Sequence, residues 1–289
     1  MLLQPKVLHV NRFLMAPLLF SIAASILSAQ EPKRTQDPQH HAAAALGTEA
    51  DAIAQCMVSC AQGANHCAMS LAEGKKENLA SMHLLMDCAR ICDTTVALVS
   101  RQSPLAAKQL DCCASASDSC ATECEKQDDP KMKACAEVCR KNAVTCREAC
   151  QKSGQSTQDA QHRGADSQGH PLGQPEANSI AQCMVSCAQG ANHCAMGLGA
   201  GKKDQATSMH LLMDCASICN TTAALAARQC SHAARQLEIC ATACDNCATE
   251  CEKHDDPILK TCAEICRNNA VTCRGTSSPK GAPQPKPGR

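Results

Sequence analysis

From residue 50 onward the apolar positions recur three and four residues apart, and cysteine fills a large share of them. In CATACDNCATEC, residues 240–251, cysteines stand at 240, 244, 247 and 251. At about 100° per residue, steps of four, three and four keep all four sulfurs within an arc of ~60° on one helix face. The same arithmetic groups Cys56, Cys60 and Cys67; Cys88 and Cys92; Cys113, Cys120 and Cys124; and Cys135, Cys139, Cys146 and Cys150. In the second half it groups Cys183, Cys187 and Cys194; Cys215 and Cys219, a stripe that Cys230 continues if its helix runs so far; Cys240, Cys244, Cys247 and Cys251; and Cys262, Cys266 and Cys273. Cys112 sits about 100° from its neighbours. Neighbours within a stripe do not pair with each other. Residues i and i+4 hold their Cβ atoms about 5–6 Å apart, whereas a disulfide wants about 3.5–4.5 Å.

The pattern predicts four helices in the first half, over 50–71, 76–101, 104–126 and 130–150. Gly74-Lys75-Lys76 breaks the first pair, and Ser103-Pro104 and Asp129-Pro130 each read as a cap followed by proline at the first helical position. The second half repeats the first at an offset of 127 without a gap: IAQCMVSCAQGANHCAM at 53–69 returns at 180–196, and SMHLLMDCA at 81–89 returns at 208–216. Each copy holds 13 cysteines, and 11 coincide. Cys112 and Cys150 belong to the first copy alone, Cys230 and Cys244 to the second. Helices of similar length on short connections make an up-down-up-down bundle. The fold expected is therefore all-α, with two tandem four-helix bundles over residues 48–151 and 178–275 and cysteine-lined cores. Because each stripe takes the buried seam of its helix, four stripes converge on one axis and form a tube of thiols.

Residues 152–177 are polar and rich in Gly, Ser, Gln and Pro. They read as a flexible linker with nothing to dock one bundle rigidly onto the other, so the halves are expected to fold and load independently. Residues 31–47 and the tail 276–289 read as disordered. Residues 1–30 read as a Sec-type export signal: Lys6 and Arg12 precede the apolar run FLMAPLLFSIAASILSA, and small residues surround Ser28 and Ala29. Seventeen residues with Pro17 among them make a poor membrane span. The location expected is periplasmic or extracellular, with no membrane contact after cleavage.

The 28 basic and 28 acidic side chains balance, which argues against a nucleic-acid or membrane-surface partner. Phe13 and Phe20, the two aromatic residues besides histidine, fall in the export signal. The core must then be Ala, Leu, Val and Ile with cysteine filling much of the rest. Thiolate stripes suit Cu(I), a soft ion that accepts two or three such ligands. Near one ion per cysteine, each thiolate charge is neutralised. Zinc at four thiolates leaves two negative charges uncompensated at every buried site.

LLMDCARICDTT, RQSPLAAKQLDCC and CATECEKQDDPKMKACAEVCRKNAVTC, with their second-copy counterparts, resemble the Cys-rich four-helix-bundle copper storage proteins. The resemblance covers roughly 50–150 and 178–274. It implies several Cu(I) ions inside each bundle, the stripe cysteines above as ligands, and association into oligomers. The chain departs from the family's fuller C-x3-C-x2-C-x3-C helices at Gly63, Ser117, Asn142, Gly190 and Asn269, and by carrying two domains.

A tube needs a mouth, and thioether and imidazole groups suit the handing on of Cu(I). The end shared by the close of helix one and the start of helix four gathers Met132 and His254 as the best candidates, with His66, His193, Met82 and Met209 flanking the stripes. Met69, Met86 and His83 point away from the thiols. No Ser/His/Asp order, paired-carboxylate spacing or phosphate loop appears, so no catalytic residue is assigned. Two other readings stay open: an exported structural protein held by interhelical disulfides, and a thiol-rich zinc or iron–sulfur binder. The copper donor and acceptor are not readable from the residues.

Overall fold

The computed structural model describes residues 38–76, 78–152 and 173–277, with side chains from residue 47. The export signal, most of the linker and the tail lie outside the described residues. Eight helices occupy the described chain: α1 Pro38–Ala72, α2 Asn78–Ser100, α3 Ala106–Glu125, α4 Pro130–Lys152, α5 Gln174–Gly199, α6 Ala206–Ala227, α7 Ala233–Cys251 and α8 Pro257–Ser277. The first begins twelve residues, a little over three turns, ahead of expectation, inside the stretch read as disordered. Its opening is proline at the first position followed by QHHAAAA, and alanine is the strongest helix former. Likewise α5 starts within the presumed linker, with Pro175 in its first turn.

Each bundle closes as a ring. α1 packs on α2 and α4, and α3 on the same two; α5 to α8 repeat the arrangement. Asp129 and Asp256 start the last helices as the sequence signal requires: Asp129 Oδ1 accepts the Lys131 and Met132 N–H groups at 2.8 and 3.1 Å, and Asp256 Oδ1 accepts those of Ile258 and Leu259 at 2.9 and 3.2 Å. Both α2 and α6 stop on a left-handed residue that is not glycine, Gln102 (φ 52) and Gln229 (φ 55). After each, a 6→1 hydrogen bond closes the helix, from Ser103 N–H to Leu98 and from Cys230 N–H to Leu225.

The core is cysteine, alanine and a few Leu and Ile, as the composition requires. Gly63 and Gly190 are where α1 and α5 admit a leucine. A Cβ on Gly63 would lie 3.1 Å from the Leu85 side chain, and one on Gly190 would lie 3.0 Å from that of Leu212. At that level of the first bundle the leucine shares the tube wall with Cys135, whose Sγ would lie 3.7 Å from a Cβ on Gly63.

The halves are not merely tethered. α2 packs on α6 and α3 on α7, so the expectation that nothing docks one bundle onto the other is corrected. The contact comes from the bundle surfaces. Arg101 binds Asp214 through Nε at 2.6 Å, and Arg228 binds Asp87 through the same atom at 2.6 Å. The Thr94 and Thr221 hydroxyls meet at 2.5 Å, and Gln109 and Gln236 exchange amide bonds at 3.3 and 3.4 Å.

Candidate metal centre

Down the first tube, Cys60 Sγ lies 3.4 Å from Cys139 and 3.7 Å from Cys120, while Cys56 lies 3.7 Å from Cys139 and 4.0 Å from Cys60. In the second tube Cys187 lies 3.4 Å from Cys266 and 3.8 Å from both Cys247 and Cys262; Cys183 lies 3.6 Å from Cys244 and 3.7 Å from Cys266. With a metal–sulfur bond near the ~2.3 Å of a zinc thiolate, such separations give S–metal–S angles of about 95–120°, open to three- or four-coordinate ions. Among the described residues no disulfide joins any cysteine.

The sulfurs gather in overlapping sets of four. Cys56, Cys60, Cys88 and Cys139 form one, and Cys60, Cys120, Cys135 and Cys139 the next. The second bundle has Cys183, Cys187, Cys215 and Cys266; Cys187, Cys247, Cys262 and Cys266; and a third set, Cys183, Cys215, Cys219 and Cys244. Ser117 replaces Cys244 at the matching place in the first bundle, with its Oγ 3.9 Å from Cys56 and 3.8 Å from Cys88. Disulfides need exclusive partners, whereas Cys60 and Cys187 each serve several neighbours at similar range. The geometry is that of shared ligands.

Outside these sets Cys92 and Cys113 lie 3.6 Å apart, and Cys240 lies 3.5 Å from Cys219 of the third set. Asn142 and Asn269, both buried, stand beside those pairs. Asn142 Nδ2 donates to Ser117 at 2.9 Å and to Cys113 at 3.5 Å; Asn269 Nδ2 donates to Cys244 at 3.3 Å. The amides thus solvate sulfur where a fifth or sixth thiol would otherwise sit. Cys67, Cys124, Cys146, Cys150, Cys194, Cys251 and Cys273 are buried along the same helices outside the four-sulfur sets.

Hydrogen bonds among neighbouring thiols pull some sulfurs below the ordinary thiol range. Bonds from Cys139, then Cys60, bring the Cys56 pKa down to about 6 against the opposing effects of Cys88 and burial; bonds from Cys187 first bring Cys262 down to about 5. Cys67 and Cys194 go the other way, raised by burial and then by Asp129 and Asp256 respectively. Cys112 and Cys230 differ in kind. Burial pushes Cys112 far up, and burial followed by the Asp87 charge pushes Cys230 to about 12. Cys112 Sγ lies 3.6 Å from Gln236 Oε1 of the other bundle. Cys230 lies beyond the end of α6, against Asp87 of the first bundle, and does not continue the α6 stripe. Both belong to the contact between bundles.

The six mouth candidates also separate. Met132 is fully buried, and Met82 and Met209 are half-buried against the core. His66 Nε2 bonds Asp129 Oδ2 at 3.1 Å and His193 bonds Asp256 at 2.8 Å, so each imidazole leans on the aspartate that caps the last helix of its bundle. His254 falls past the end of α7, where its Nε2 meets Ser208 Oγ at 2.7 Å. In the first bundle this end opens on a hollow of about 710 Å³ lined by His66, Ser81, Glu123 and Asp129 among others. Met69 and Met86 are exposed there, as their helical phase requires.

A family model described as Copper storage protein (Csp) matches residues 42–155 and again 173–278. The chain belongs to the copper storage protein family. Its two matched regions coincide with the two bundles, each of which holds its buried cysteine sets within one match. No curated protein and no solved structure matches the chain. As a copper storage protein it sequesters copper through cysteine thiolates in the interior of each bundle. Among its described residues no helix is long and apolar enough to cross a membrane.

Proposed function

We propose that this copper storage protein holds its cargo as Cu(I), with many ions in each bundle and a capacity approaching one per tube cysteine. The observation that carries the reading is the overlap of the four-sulfur sets. Cys60 and Cys139, and Cys187 and Cys266, each belong to two of them. A sulfur that serves two sites must bridge two ions, so the ratio of ligand to metal falls below the four that closed zinc sites need. With fewer thiolates per ion, a monovalent cargo leaves less net charge in a dry core. Softness points to the same ion.

The non-enzymatic reading, export by the N-terminal signal and transfer to unidentified copper donors and acceptors belong to the same proposal. So does access at the His66/Asp129 and His193/Asp256 ends, where imidazoles border the thiols. Association of whole chains into oligomers is a further part of it. The test is titration of the reduced protein with Cu(I) against a competing chelator, followed by a zinc challenge. We expect well over four ions per bundle and no displacement by zinc. Saturation at one or two ions per bundle, or replacement by stoichiometric zinc, would defeat the storage of Cu(I) as described.

A further inference from the structure

Along the α2–α6 contact, and between Gln109 on α3 and Gln236 on α7, polar pairs come as repeat-related reciprocals, while Lys108–Thr242 and Asp111–Arg235 at the α3–α7 edge do not. Asp87 binds Arg228, and their counterparts Asp214 and Arg101 bind in return. Thr94 meets its own counterpart Thr221, and Gln109 exchanges two hydrogen bonds with its counterpart Gln236. Position numbers rise on one helix as they fall on the other, since 87 faces 228, 94 faces 221 and 101 faces 214. The helices therefore run antiparallel about a pseudo-two-fold axis at the threonine pair. This is the signature of an isologous interface, in which one patch is complementary to itself.

Asp87, Thr94 and Arg101 stand seven residues apart, so they make one stripe along α2, and Asp214, Thr221 and Arg228 make the same stripe on α6. The side chains at the centre are excluded from water: Thr94, Thr221, Gln109, Gln236, Asp87 and Asp214 are each no more than 3% exposed. On α3 the patch continues through Cys112, whose sulfur reaches Gln236. A random contact between two tethered bundles has no reason to place equivalent residues opposite each other at its centre, as the Thr94–Thr221 and Gln109–Gln236 pairs are.

We propose that the outer face of α2 and α3, with its repeat on α6 and α7, is a self-complementary docking surface whose partner is a second copy of the same bundle. The chain is then a fused homodimer that stays paired without the segment joining its halves. That segment raises the local concentration of one half around the other. The buried carboxylates set the specificity, because either one would lose its guanidinium against any surface lacking the reciprocal stripe.

The experiment places a protease site within residues 153–172 of the full chain, cuts it, and measures mass in solution at micromolar concentration by light scattering after size exclusion. The cut protein is expected to run at the mass of the intact chain. Reversing the charges with Arg101→Asp and Arg228→Asp should make the cut protein run at half that mass. Adding Asp87→Arg and Asp214→Arg to that variant should restore the full mass. Separation of the cut wild type into half-mass species overturns the proposal. Co-elution that survives charge reversal overturns the assignment to this face. Where the double variant fails to fold, the four-fold swap carries the test alone, and a half-mass result from it overturns the proposal.

Discussion

Ser117 and Cys244 occupy the same place in the two tubes, and they decide how many four-sulfur sets each tube has. The serine oxygen already stands within 3.9 Å of Cys56 and Cys88. Ser117→Cys should complete a third set in the first bundle and raise copper capacity by about one ion, and Cys244→Ser should lower it by about one in the second. Equilibrium titration of both variants beside the parent checks this, with helicity unchanged because the exchange is nearly isosteric and already present in the other copy. That difference is visible in the sequence once the repeat is aligned. Cys230 is not. Its stripe arithmetic assumes a helix continuing past 227, and α6 ends there on Gln229 in the left-handed region. Such ends are normally marked by glycine. With glutamine in that place, nothing in the local sequence announces the stop.

At the scale of the helix, the caps of α4 and α8 do two tasks at once. Asp129 and Asp256 receive the first backbone N–H groups and also hold an imidazole at the end of the tube. Burial acts to raise the Asp129 pKa, but the N–H groups of Met132 and Lys131 and the His66 ring outweigh it, and the carboxyl ends below its ordinary value. A depressed carboxylate adds stability above its unfolded pKa and loses it as pH falls through the folded value. Asp129→Ala should therefore cost about 1 kcal/mol near neutral pH. The deficit should shrink as acid titrates the parent through and below about pH 4. Urea melts at several pH values read both. The aspartate-proline signal made these starts legible. The early start of α1 was hidden because its polar surroundings outweighed four alanines in the reading of 31–47.

For the molecule as a whole, the repeat gave away two bundles, but their docking was illegible. Asp87, Thr94 and Arg101 have the composition of a solvated face, and a polar stripe becomes an interface only when its complement is present. Arg228→Ala tests the consequence across the contact. It leaves Asp87 buried without its cation, which should cost about 3–5 kcal/mol and be felt in the first bundle although the change lies in the second. Hydrogen exchange on α2 should accelerate; unchanged α2 protection with loss confined to α6 would argue against it. The antiparallel register has another outcome. Counting 1.5 Å per residue outward from the Thr94–Thr221 contact, the starts of α2 and α6, and with them the two histidine-bearing ends, lie about 45 Å apart at opposite poles. Under the access proposed above, two copper donors or acceptors would be engaged together without colliding, one delivering at one pole while another is served at the other. A side-by-side parallel arrangement would have made them queue.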